Sequence, residues 1–144
     1  MGPTPRALNP QPLTWNFLVA KTRSRPTEAE LEILTVLWSR GPSTVRQVHD
    51  ALGRRTGYTT VLKLLQIMAE KDLVRRDKTE RTHVYESKTS AEKMQRRLVK
   101  DLIDRAFGGS AKSLLMQALA AQRVSREELA EMNQIIEQHR ADQQ

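Results

Sequence analysis

The chain has 144 residues, with 24 Lys+Arg against 17 Asp+Glu and a formal net charge of +7; that length gives one ordinary domain or two small ones, and the basic balance favours a polyanionic partner, nucleic acid or an anionic membrane surface. It contains no cysteine, which excludes disulfides, thiolate metal sites and cysteine nucleophiles and fits a cytoplasmic protein. No apolar run approaches the length of a membrane span, and the charge is uneven: residues 1–90 hold 15 Lys+Arg and 9 Asp+Glu, whereas residues 91–144 hold 9 and 8.

Residues 1–25 read as a flexible tail. Pro3, Pro5, Pro10 and Pro12 break regular elements, and Lys21, Arg23 and Arg25 add charge. Leu13 to Ala20 is short, contains Asn16 and follows a proline-rich start, so it does not read as a signal peptide. A basic arm reaching into a DNA groove is the alternative to a solvated tail.

The first helix is expected from Pro26-Thr27, where Thr27 and Glu30 form a capping box and Glu28 meets the positive end of the helix dipole. Leu31, Ile33, Leu34, Leu37 and Trp38 make its buried face, and Gly41-Pro42 stops it. Ser43 is expected to cap a second helix with Val45, Val48 and Leu52 inward and Arg46, Gln47 and His49 outward, ending at Gly53. His49 reads as a solvated side chain, with a phosphate contact as the alternative.

The third helix, YTTVLKLLQIMAEK over 58–71, places Val61, Leu64, Leu65 and Met68 at i, i+3, i+4 and i+7. Its other face carries Thr59, Thr60, Lys63 and Gln66, whose hydroxyls, cation and amide can hydrogen-bond base edges and phosphates. Its first turn offers N–H groups to a phosphate. Leu73-Val74 then opens a basic hairpin whose return strand is the alternating run Thr82 to Glu86, with Lys78 and Arg81 at the tip. A short helix, a helix with a polar outer face and a basic hairpin read together as a winged helix-turn-helix over 26–89.

Residues 90–144 change character. Ser90 caps a helix to about Phe107 with Met94, Leu98, Leu102 and Ile103 on one side and Lys93, Arg96, Arg97 and Lys100 on the other. Gly108-Gly109 ends it, Ser110 caps a shorter helix carrying Leu114, Leu115, Ala118 and Leu119, and Ser125 opens a capping box with Glu128 for a last helix carrying Leu129, Met132, Ile135 and Ile136. Three amphipathic helices with few aromatics close a core poorly alone, so they are expected to form a dimerisation unit; folding back on the wing domain is the alternative. The expected fold is therefore mainly α: a winged helix-turn-helix with a small β-hairpin wing, then a three-helix dimerisation region. His49, His83 and His139 are scattered, and no enzyme motif, phosphate loop, metal set or cofactor site is legible.

Residues 26 to about 137 resemble the penicillinase-repressor family, the BlaI/MecI type that also includes the copper-responsive CopY repressors. The resemblance rests on PTEAELEILTVLW, YTTVLKLL, EKDLVRR, VYE and FGGSAKSLL, in that order. It implies a homodimer on a dyad-symmetric double-stranded operator, released when a sensor-linked protease cleaves the repressor in its first C-terminal helix. Aligned on Phe107-Gly108-Gly109, Asp101-Leu102 stands where staphylococcal members have the cleaved Asn-Phe bond. The cysteine cluster of the copper branch is absent, which excludes that switch. Gln66-Ile67-Met68 departs from the polar residue, Arg and Leu common in the family.

The expected DNA contacts are Thr59, Thr60, Lys63 and Gln66 in the major groove, Arg46, Arg54, Arg55 and Tyr58 on the backbone, and Lys78 and Arg81 from the wing. The expected dimer face comprises Met94, Leu98, Leu102, Leu114, Leu115, Leu119, Leu129, Met132, Ile135 and Ile136. A ligand-sensing winged-helix regulator and a basic protein-interaction module remain the alternatives.

Overall fold

In a computed structural model of the chain, residues 25–53, 55–79 and 81–144 are described. The expectations for the tail up to residue 24, and for Arg54, lie outside them. The order is α1 (Glu28–Arg40), β1 (Ser43–Thr44), α2 (Val45–Ala51), α3 (Tyr58–Glu70), β2 (Val74–Asp77), β3 (Val84–Ser87), α4 (Ala91–Ala106), α5 (Ala111–Ala121) and α6 (Arg126–Asp142). Two compact units divide the chain, the first ending at Met94 and the second spanning Gln95–Gln144.

Helix α1 starts as its sequence dictates. Thr27 accepts from the Glu30 N–H at 3.2 Å, and Glu30 Oε1 accepts from the Thr27 N–H at 3.3 Å. The second helix begins one residue later than expected. Thr44, not Ser43, is its N-cap, and Thr44 and Gln47 form a reciprocal capping box. An N-cap residue keeps an extended backbone, and here that extension forms a third strand: Ser43 and Thr44 pair antiparallel with Tyr85 and Val84 of β3. The sheet order is β1-β3-β2, so the wing is not a lone hairpin. The return strand starts at Val84, leaving Thr82 and His83 outside it.

The core of this unit gathers Ile33, Leu34 and Leu37 from α1, Val45 and Val48 from α2, Val61, Leu65 and Met68 from α3, and Leu73, Val74 and Tyr85 around the sheet. Burying such apolar side chains is the main force holding three short helices together. Trp38, half-buried, donates from its indole to the Thr89 carbonyl at 2.9 Å and the Ser87 hydroxyl at 3.1 Å. Helix α3 ends in a Schellman motif, with the Leu73 N–H on the Met68 carbonyl at 2.9 Å and the Asp72 N–H on Ala69 at 3.2 Å. Asp72 takes the left-handed position usually given to glycine, at φ 65°.

In the second unit, Ser110 and Ser125 cap α5 and α6 by accepting the Ser113 and Glu128 N–H groups, each at 3.1 Å. Gly108 and Gly109 both have positive φ where α4 turns toward α5, a conformation that a side chain resists. Neither α5 nor α6 has a buried residue.

Candidate nucleic-acid interface

Helices α2 and α3 pack together, joined by the short link from Leu52 to Gly57. Burying Val61, Leu65 and Met68 fixes the rotation of α3 about its axis. That rotation turns Thr59, Thr60, Lys63 and Gln66 outward, and all four are exposed. Thr27, Thr44, Ser110 and Ser125 cap their helices with side-chain oxygens, but α3 begins at Gly57 with no side-chain cap. Its first-turn N–H groups are thus not taken by a capping side chain, and groups of that kind attract phosphate oxygens.

Exposed cations flank α3 along the chain. Arg46 on α2, Arg55 in the link and Lys63 on α3 are exposed, as are Lys78 and Arg81 on the wing loop. Tyr58, the first residue of α3, stands edge-on to His49, with ring centroids 5.9 Å apart and planes at 80°. His49 is therefore not the solvated side chain expected from the sequence: it is 17% exposed, with Nδ1 3.9 Å from Asp50 Oδ1. This contact gives the Tyr58 ring a fixed neighbour at the start of the helix.

The wing is shaped by pairs invisible to strand periodicity. Arg75 donates from Nε to Glu86 Oε1 across the β2–β3 ladder at 2.8 Å. At the turn, Asp77 Oδ1 accepts from the Thr79 hydroxyl at 2.7 Å and the Thr79 N–H at 2.9 Å. The hydroxyl bond first, then the amide bond and the nearby Arg75 charge, hold the Asp77 carboxyl below its ordinary value. This Asx turn sets the path on which Lys78 leaves the sheet.

Sequence reasoning missed an anchor at the far end of α3. Lys71 Nζ donates to Glu30 Oε1 at 2.7 Å and Oε2 at 3.0 Å, and to the Arg25 carbonyl at 3.0 Å. Glu30 is 2% exposed and Lys71 19%. Glu30 was legible only as a capping residue; its partner lies 41 positions away. The pair ties the C-terminal end of α3 to the first turn of α1.

The residues expected at a dimer face divide into three groups. Leu102, Leu115, Leu119, Leu129, Ile135 and Ile136 are exposed in the single chain, and Leu98, Leu114 and Met132 are half-buried. Met94 is 2% exposed in the core that ends the first unit, so a single chain already covers it. Among the described residues, no three His, Asp or Glu side chains converge to hold a metal ion, and no helix is long and apolar enough to cross a membrane.

Comparison with known proteins bears on the same elements. The chain is 45% identical over 65 residues to the transcriptional regulator BlaI of Mycobacterium tuberculosis, a match covering 43% of this chain and 47% of that protein. It thus spans about half the length of the mycobacterial relatives it matches. It is 18% identical over 110 residues to the penicillinase repressor of Staphylococcus aureus, covering 75% of this chain and 87% of that one. A MarR family protein from Bacillus stearothermophilus aligns with it at 19% identity and a TM-score of 0.46, over 91% of this chain and 89% of that chain. The penicillinase repressor family model matches residues 26–138. With most of its length matched, from the capping box of α1 through nearly all of α6, the chain belongs to the penicillinase repressor family.

Proposed function

We propose that the chain is a transcriptional repressor that binds a dyad operator in double-stranded DNA as a homodimer. The observation that carries this reading is the outer face of α3: Thr59, Thr60, Lys63 and Gln66 are turned outward by a core that fixes the opposite face. Arg46, Arg55, Tyr58, Lys78 and Arg81, with Arg54 from the same link, supply backbone contacts that set register while α3 reads base edges. The repressor named in the family supports the regulatory role.

The exposed apolar side chains of α4, α5 and α6 form the dimer face, since packing against a second copy removes Leu102, Ile135, Ile136 and their neighbours from water. Dimerisation then links two half-sites and raises affinity without new kinds of contact. In the penicillinase branch a sensor-linked protease cuts the first C-terminal helix, here α4; Asp101-Leu102 stands at that place with neither the Asn nor the Phe of the staphylococcal bond. The protein acts in the cytoplasm, where the operator is.

A gel-shift titration on the DNA upstream of the protein's own gene, with random DNA as competitor, tests the reading. A band that resists competitor is expected. Equal competition by random DNA would instead favour a basic module for an acidic protein partner, and a band released by a small molecule would favour a ligand-sensing regulator.

A further inference from the structure

One large apolar side chain interrupts the polar outer face of α3. Ile67 is 36% exposed, whereas Val61, Leu65 and Met68 on the same helix are fully buried. At 100° per residue Ile67 projects between Thr60 and Lys63 around the helix, and it lies one turn beyond Lys63 along it. Glu70, also exposed, follows on the same side where the helix ends. Phosphates repel its carboxylate, which can meet only a base-edge donor such as the cytosine amino group. Ile67 is thus the one apolar side chain among the polar ones of that face.

The base edges of the major groove present donors and acceptors, with one apolar exception, the C5 methyl of thymine. An isoleucine pressed against a donor or acceptor removes its water and returns no hydrogen bond, which is unfavourable. Against a methyl group the same side chain buries apolar surface on both partners. We infer that Ile67 is a specificity-determining residue that selects a thymine in each half-site through its C5 methyl. The inference rests on the DNA-binding reading and deepens it: Thr59, Thr60, Lys63 and Gln66 supply polar contacts, and Ile67 supplies apolar discrimination one turn further along the groove.

Replacing thymine by uracil removes only that methyl and leaves every hydrogen-bonding group in place. Operator duplexes are prepared with uracil at one symmetric pair of thymine positions at a time. Affinities are measured by fluorescence anisotropy for the full-length wild type and for Ile67→Ala. At one symmetric position, uracil is expected to weaken the wild type about fourfold per half-site and to leave Ile67→Ala unaffected. At every other thymine the two proteins respond alike. If wild type and variant respond alike at all positions while the operator still outcompetes random DNA, the thymine contact is refuted and the repressor reading stands. If the wild type shows no preference for the operator over random DNA, both are refuted.

Discussion

Removing Lys71 while leaving Glu30 in place tests how α3 is anchored. Glu30 is 2% exposed and holds Lys71 at 2.7 and 3.0 Å; Lys71, at 19% exposed, also bonds the Arg25 carbonyl. Lys71→Met strands a carboxylate in a nearly dry site. Removing one partner of a buried pair typically costs about 3–5 kcal/mol. The Thr27 N–H still donates to Glu30, so a loss near 3 kcal/mol is expected. The reverse change is milder. Glu30→Gln frees a lysine already near solvent, and a loss of about 1–2 kcal/mol is expected. The double variant Glu30→Gln, Lys71→Met is expected to be more stable than Lys71→Met alone, because the stranded charge is gone. Urea unfolding followed by circular dichroism, at one fixed chain concentration because association adds to apparent stability, measures all three. Equal single losses that add in the double variant would refute the account, since they would make the pair an ordinary surface contact.

Other consequences follow from single contacts. Lys63→Ala is expected to weaken operator binding; if Lys63 meets only phosphate, the loss is even across sequences and the log–log salt slope falls by about one unit. Unchanged binding would remove α3 from the interface. Ile136→Asp places a charge on the proposed dimer face and is expected to convert the protein to monomers in sedimentation equilibrium with the helical signal of the first unit retained; a variant that stays dimeric would move the face elsewhere. Asp72→Gly relieves a left-handed residue at φ 65° but removes an exposed pair with Lys88 at 2.6 Å. Relief of order 1 kcal/mol outweighs that pair, so a higher urea midpoint is expected, and a lower one would contradict the balance. The Thr79 bonds hold the Asp77 carboxyl below its ordinary value, so their contribution is complete above the unfolded aspartate value and is lost as pH falls through the depressed one. Carbon-detected NMR titration should place the Asp77 midpoint below that of a free aspartate; a midpoint at or above it would refute the assigned bonds.

Local signals in the chain were legible to the extent that their physics is local. Thr27 with Glu30 announced the start of α1, and the spacing of Val61, Leu65 and Met68 set which side of α3 faces outward. Strand β1 was not legible because two residues have no periodicity; Ser43 and Thr44 become a strand only when Tyr85 and Val84 arrive to pair with them. Burial of Glu30 was hidden for the same reason, since capping boxes are read over three residues and Lys71 arrives through tertiary packing. His49 reads as solvated because nothing in α2 predicts the Tyr58 ring that stands edge-on to it. Met94 fell on the apolar stripe of α4, and periodicity alone cannot distinguish a side chain buried by its own chain from one awaiting a second copy.

Hydroxyl-radical footprinting of the operator bound to the full-length protein tests the central claim most directly. A dimer presenting two copies of α3 should protect two symmetric patches on one face of the duplex, their centres separated by about one helical turn or a multiple of it, at two chains per duplex. Lys63→Ala should need more protein to reach the same protection, with both patches filling together. A single patch, protection without symmetry, or half-protection at an unchanged concentration in that variant would contradict a dyad repressor reading DNA through α3.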